Sequence, residues 1–546
     1  MKKWCVLAFS LATIAASAQQ HEHAAAPLEK LGTVTFTNSC NAAAQAPFNR
    51  GIALLHSFEF GRAIEAMDTT LEADPSCGIA AWAIALSRWS NPFAPGIRTP
   101  AQNRQGLDAV ERARAAGTKT ERERGFVEAV ARLYTNADAQ NQRARVLAYR
   151  DAMADLSARD PQDMEAAIFY ALALTASEEP TDKTYASRLK AGAILEQLFT
   201  RQPQHPGLAH YIIHSYDVPA LADKALEAAK RYATIAPSAP HALHMPSHTF
   251  TRVGYWQASI DANIASADVA RRDRSTAEEL HAYDYQMYAY LQTAQDRAAK
   301  TLLDGLPAVA ARFDPEAIGG AAPGSAGVFA LAAIPARYAL ERQAWTEAVA
   351  LEPHASKFPY AEAMTYFARA LGAAHAKNVA AGRAAVASLD SSRARLAQSG
   401  ETYWAEQVEI QRRAANAWVA FAEGRSEEAL AEMRAAAARE DATEKSAVTP
   451  GPLAPARELL GDLLVAMNRP GDALIEYEAT LKKEPNRFRT LAGAARAARM
   501  SNNEAAARRY YDMLVKMCEK ADSPARPELI EARAFLTPHA ARERDR

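Results

Sequence analysis

Residues 203–217 read PQHPGLAHYIIHSYD, and residues 237–256 read PSAPHALHMPSHTFTRVGYW. At an offset of 34 residues, Pro203 falls on Pro237, His210 on His244 and His214 on His248. That offset is the length of one helix–turn–helix unit in a repeating chain. Within each stretch the two histidines are four residues apart, so each pair projects from one helical face. Adjacent units therefore carry equivalent imidazole pairs. Of the 13 histidines in the chain, seven (His205, His210, His214, His241, His244, His248, His281) lie between Pro203 and Tyr288.

Working outward, Pro206 suits the first turn of the helix that carries His210 and His214. His205 falls in the turn before it, where solvent is the expected surrounding. Pro246 lies between His244 and His248 and predicts a bend there. A third helix pair opens over 277–293 with His281 and Asp284. Upstream, residues 48–75 (FNRGIALLHSFEFGRAIEAMDTTLEADP) read as a helical hairpin with small residues at Gly51 and Ala63 and a closing Pro75. The clearest copy runs over 455–485, PARELLGDLLVAMNRPGDALIEYEATLKKEP, and a weaker one follows with Ala507 and Tyr511. Gly461 and Ala473 are its small positions, Tyr477 its aromatic and Pro485 its stop. Between residues 92 and 203 the period is lost, although helical spacing continues.

This pattern resembles the tetratricopeptide-repeat superfamily. The resemblance implies an all-α fold, a solenoid of stacked antiparallel helix pairs whose first helices line a concave groove for a protein or peptide partner. The segment PHALHMPSHTFTRVGYW also resembles a group of exported bacterial members that brings no activity with it. The expected division is a signal peptide (1–18), a loose N-terminal segment (19–46), an N-terminal solenoid with the histidine cluster (47–312), a Gly/Pro-rich break (313–326) and a C-terminal solenoid (327–546). Residues 445–455 read as a loop.

Composition agrees with a soluble helical protein: 49% hydrophobic and 23% charged residues, at a formal charge of −1. No concentrated basic patch points to nucleic acid, and no run is long enough for an integral membrane segment. Lys2 and Lys3, an apolar run over 4–16 and the small residues Ala16, Ser17 and Ala18 form a signal-peptide pattern with cleavage near Ala18. The expected location is exported, either periplasmic or secreted. Three cysteines survive cleavage. Cys40 and Cys77 form a plausible disulfide, with two unlinked core thiols as the alternative, and Cys518 is left over.

A His pair on each of two neighbouring helices can bring up to four imidazole nitrogens together. His210, His214, His244 and His248 are thus the expected metal ligands, with His241, His281 and Asp217 as further candidates. Zinc, copper or iron suits such a set; magnesium and calcium do not. If the site is catalytic, as a metal-dependent hydrolase or oxidoreductase, Glu278 and Asp284 are the candidate bases and Tyr285 a candidate donor; Tyr211, Tyr216 and Tyr288 are further donors. The bland alternative is a groove that hydrogen-bonds a ligand without metal. No phosphate-binding glycine loop, nucleophile elbow or HExxH motif occurs. The triplet His21-Glu22-His23 reads as a solvated tail.

Overall fold

A computed structural model describes Met1 and residues 29–537 apart from 95, 138–141, 180 and 318. The signal-peptide pattern, His21-Glu22-His23 and His539 lie outside the described residues. Among those residues the secondary structure is helical, with no strand, and the protein is an all-α, tetratricopeptide-like solenoid.

The helices follow one another as antiparallel pairs, from Gln45–His56 with Phe60–Ala73 to Phe488–Met500 with Glu504–Met517. The connection inside a pair recurs: a three-residue turn whose second residue has positive φ. Phe58, Gly254, Ala294, Gln343, Lys377, Gly424, Asn468 and Asn502 all hold that place. The left-handed residue stops the first helix and turns the chain back onto it. The small positions read from sequence are where paired helices meet. A Cβ on Gly461 would lie 2.6 Å from the Tyr477 ring, and one on Gly51 would lie 2.6 Å from Met67 Cε.

First helices of successive pairs pack in a row, from Pro206–Ser215 through Thr276–Gln292, Gly324–Glu341 and Pro359–His375 to Phe488–Met500. The row curves until its far end returns to the middle. Trp256 Nε1 donates to the Asn486 carbonyl (2.6 Å), and Phe488 N donates to Gln292 Oε1 (2.9 Å). Buried Arg487 spans Glu458 and the Tyr288 hydroxyl. Gly254 is required twice at this seam, because its φ is 71° and a Cβ would meet the Pro485 carbonyl at 2.5 Å.

Residues 443–455 run through the interior of this closed superhelix. Arg337 Nη2 donates to Thr449 Oγ1 (2.9 Å) and to the Gly451 carbonyl (2.7 Å), while Nη1 donates to the Pro452 carbonyl (2.9 Å). A loop in the sequence is thus a strap in the structure. Cys40 and Cys77 are disulfide-bonded, and Cys518 is a buried free thiol.

Candidate metal centre

Pro206–Ser215 carries His210 and His214 into the interior. The next first helix is divided at Met245 into Pro240–His244 and Pro246–Arg252. Pro246 lacks the N–H that would continue the ladder, and the break sets His241 and His244 at a different angle from His248. Thr276–Gln292 brings His281. All six side chains are buried.

They form two triads, His210/His214/His241 and His244/His248/His281, each with its ligand nitrogens within 4.8 Å of one another. The four expected ligands thus divide between the two triads, with His241 in one and His281 in the other. The triads adjoin. Ring centroids lie 6.0 Å apart for His214–His248 and 5.9 Å for His241–His244, inside the span of 4.3 to 6.3 Å found within the triads.

The outer hydrogen bonds decide what the inward nitrogens can do. His244 Nδ1 lies 2.6 Å from Asn263 Oδ1, and that amide is oriented because its Nδ2 donates to the Ser259 carbonyl at 2.7 Å. His248 Nδ1 lies 3.0 Å from Asp217 Oδ2. Both partners are acceptors, so both Nδ1 atoms carry the proton. In neutral rings both Nε2 atoms are then bare, yet they stand 3.0 Å apart. Tyr285 does not resolve this. Its hydroxyl is equidistant from the two nitrogens of His248 (3.4 and 3.3 Å), over the ring face, and donates to the Thr449 carbonyl (3.2 Å). Two lone pairs that close repel unless a cation lies between them. Two imidazoles bound tetrahedrally to one ion at about 2.0–2.1 Å place their nitrogens about 3.3–3.4 Å apart, near the distance found.

Protonation is not the way out. Burial pushes the pKa of His248 down, and Lys445 and Arg252 oppose the opposite pull of Asp217. Burial and neighbouring imidazoles hold His214, His241, His244 and His281 well below the ordinary range, and burial takes His210 to about 3. Burial alone would raise Asp217, but Lys445, Arg252 and the His248 hydrogen bond outweigh it and keep the carboxylate ionised. Arg252 Nε reaches Asp217 Oδ1 at 2.8 Å and Lys445 Nζ reaches Oδ2 at 3.4 Å. Asp217 therefore orients His248.

The first triad is set differently. His210 Nδ1 donates to the His56 carbonyl at 2.6 Å, which leaves Nε2 bare at 3.0 Å from His241 Nε2. His214 Nε2, His241 Nδ1 and His281 Nδ1 are buried without a partner. Phe58 and Phe93 lie against His214, their centroids at 5.8 and 4.0 Å. Of the proposed acid–base residues, Glu278 is nearest: Oε2 is 4.0 Å from His241 Nδ1, and Oε1 accepts from Ala322 N at 2.7 Å. Burial raises its pKa, with the Ala322 and Ala321 amides opposing. Asp284 is tied to Arg337 at 2.9 Å, and Tyr285 stacks on His248 with its hydroxyl held protonated by burial. Tyr211 and Tyr288 bond His56 and Arg487 instead, and the Tyr216 hydroxyl turns to Glu196.

The expectation for His205 is overturned. It is fully buried, with Nε2 3.1 Å from Glu165 Oε1, while His56 Nε2 takes Glu165 Oε2 at 3.0 Å. As the residue capping Pro206–Ser215, it is turned inward against the first hairpin. The unit boundary alone did not reveal this packing.

No family model matches the chain, and no curated protein matches it. Solved structures similar to it include the human IFIT1 dimer with m7Gppp-AAAA, at 10% identity and a TM-score of 0.37, covering 89% of this chain and 96% of that one. The APC/C hetero-tetramer Cut9-Hcn1 is similar at 13% identity and a TM-score of 0.34, covering 92% and 77%.

Proposed function

We propose that the two triads bind two neighbouring transition-metal ions and that the protein is a metal-dependent enzyme working inside a closed solenoid. The facing, unprotonated Nε2 atoms of His244 and His248 carry this reading. An all-imidazole set suits copper or zinc, with iron(II) next. Bound ions of this kind supply Lewis-acid activation of water or substrate, and copper or iron supplies electrons as well. The chain's own residues do the rest. Asn263, Asp217 and the His56 carbonyl fix the tautomers, Glu278 holds or accepts a proton beside His241, and Tyr285 stays a donor over His248. Asp284 positions Arg337 and, through it, the strap.

A second reading, a protein or peptide partner in the concave groove, is favoured by a separate observation. The C-terminal half keeps a groove of about 620 Å³ lined by His375, Trp418, Phe421, Tyr477 and Arg489. At the level of the triads, by contrast, the strap occupies the interior. Export to the periplasm or beyond belongs to the same proposal. The signal-peptide pattern and the Cys40–Cys77 disulfide support it, since disulfides persist in oxidising compartments. Among the described residues no helix is long and apolar enough to cross a membrane.

Metal analysis of the purified mature chain tests the proposal. Two equivalents of copper, zinc or iron are expected, falling by at least one in His214→Ala/His248→Ala. Failure to take up any of the three stoichiometrically contradicts it.

A further inference from the structure

On the far side of Phe58 from the first triad lies a second chamber of about 40 Å³, lined by Leu55, Leu86, Trp89, Leu133, Phe169 and Leu172 among others. Its wall is almost wholly apolar. The Tyr211 hydroxyl is committed to His56 Nδ1 at 3.1 Å, and the buried Tyr149 hydroxyl has no partner. Ser90 is the other polar side chain in the wall, so the chamber stands at the low end of the two to four polar partners that a settled water needs. The volume excludes large ligands: about 10–15 Å³ admits one water-sized molecule and about 150 Å³ admits benzene. A diatomic molecule fits.

Two aromatic side chains that line this chamber, Phe58 and Tyr211, also lie against His210. Phe58 lines the chamber, and its ring centroid lies 4.4 Å from His210, 5.8 Å from His214 and 5.9 Å from His241. Phe60 and Phe93 continue the apolar surface at 5.1 and 6.2 Å. The strap and the charges around Asp217, Arg252 and Lys445 surround the second triad instead. The two triads are thus approached through opposite surroundings, one apolar and one polar.

We propose that the chamber behind Phe58 is a binding pocket for a small apolar gas, dioxygen by size and chemistry, held one ring away from the first triad. The delivery role rests on the metal reading above; the pocket does not. Aromatic and aliphatic walls dissolve dioxygen better than water does and hold water weakly. Movement of the Phe58 ring opens a path from pocket to imidazole beside Tyr211.

Xenon tests the pocket without reference to metal. Crystals of the protein as purified, pressurised with xenon, are expected to show an anomalous peak between Leu86 and Leu172. Ala176→Val and Leu86→Phe, each enlarging a side chain that lines the chamber, should each abolish it. Delivery is tested in copper(I)-loaded protein. Two copper(I) ions give two electrons to dioxygen, which leaves with two protons as hydrogen peroxide. The copper(II) signal should grow at least tenfold more slowly in the filled variants at unchanged copper content. No xenon at this place overturns the pocket whatever the metal content. Xenon bound, with filled variants oxidised as fast as the parent, overturns delivery. A chain that binds xenon but takes up none of copper, zinc and iron leaves the pocket standing and removes the metal reading.

Discussion

Two of the histidine clusters in this protein are built of similar parts with opposite results. At His56–Glu165–His205 the rings face an acceptor. Burial alone would raise Glu165, but His56 and His205 outweigh it and keep it ionised. Both facing nitrogens therefore donate, and the Tyr211 hydroxyl can satisfy His56 Nδ1 from outside. The atoms that face one another are satisfied, and His205 Nδ1 is the one ring nitrogen of the cluster buried without a partner. At His244–His248 the acceptors stand outside, on Asn263 and Asp217, and the bare nitrogens face each other. Proximity of imidazoles is thus a poor indicator of a metal site on its own; the side on which the acceptor stands decides it.

The comparison can be broken at several points. Its largest consequence is for metal content. His244→Ala should remove one equivalent and leave the other, whereas His205→Ala should leave both, as read by elemental analysis after dialysis. Loss of metal from the His205 variant would erase the distinction between the clusters.

Asp217→Asn keeps the shape but weakens the hold on His248 Nδ1. Affinity at the second triad should fall about 10–100-fold, the usual effect of losing an outer partner, with the first triad unchanged in a competition titration with a chelator. Glu165→Gln should do the reverse. It removes the acceptor shared by two buried rings, so stability should fall by about 1–3 kcal/mol in urea unfolding, with metal content unaltered.

The smallest effect concerns an imidazole outside both clusters. His375 stacks on Trp345 (3.9 Å) with Trp418 tilted against it (4.3 Å), and burial, with Arg489 adding to it, takes its pKa down to about 4. The unfolded chain then binds more protons than the folded one between about pH 6.5 and about pH 4. Its contribution to stability is therefore lost as pH falls through that window. Replacing His375 by Leu should flatten that part of the Tm-against-pH curve, whereas a curve unchanged by the substitution would contradict the assignment.

The fold was legible because its signals are local. A 34-residue offset, small residues such as Gly461 and the helix break at Pro246 each act within one unit. The site was half legible. Spacing along one face found His210, His214, His244 and His248 and kept His241 and His281 in view, but it could not divide them into two triads. That division depends on where the break at Met245 aims each ring. The strap at 443–455, Phe58 and the Glu165 cluster escaped for another reason. They reach the site over long separations, the 154 residues between His56 and His210 or the 228 between Asp217 and Lys445. A lysine in a loop and a buried acid in a distant helix leave no periodic trace. The repeated turn did offer one clue: HSFEF at 56–60 puts an aromatic residue, Phe58, at the positive-φ place where other units carry Gly, Asn, Ala, Gln or Lys.

The most direct test is an anomalous diffraction measurement on crystals of metal-loaded protein, taken at the absorption edge of the bound metal. Two peaks are expected, one enclosed by His210, His214 and His241, the other by His244, His248 and His281. A peak at His56–Glu165–His205, or none among the six rings, would contradict the account.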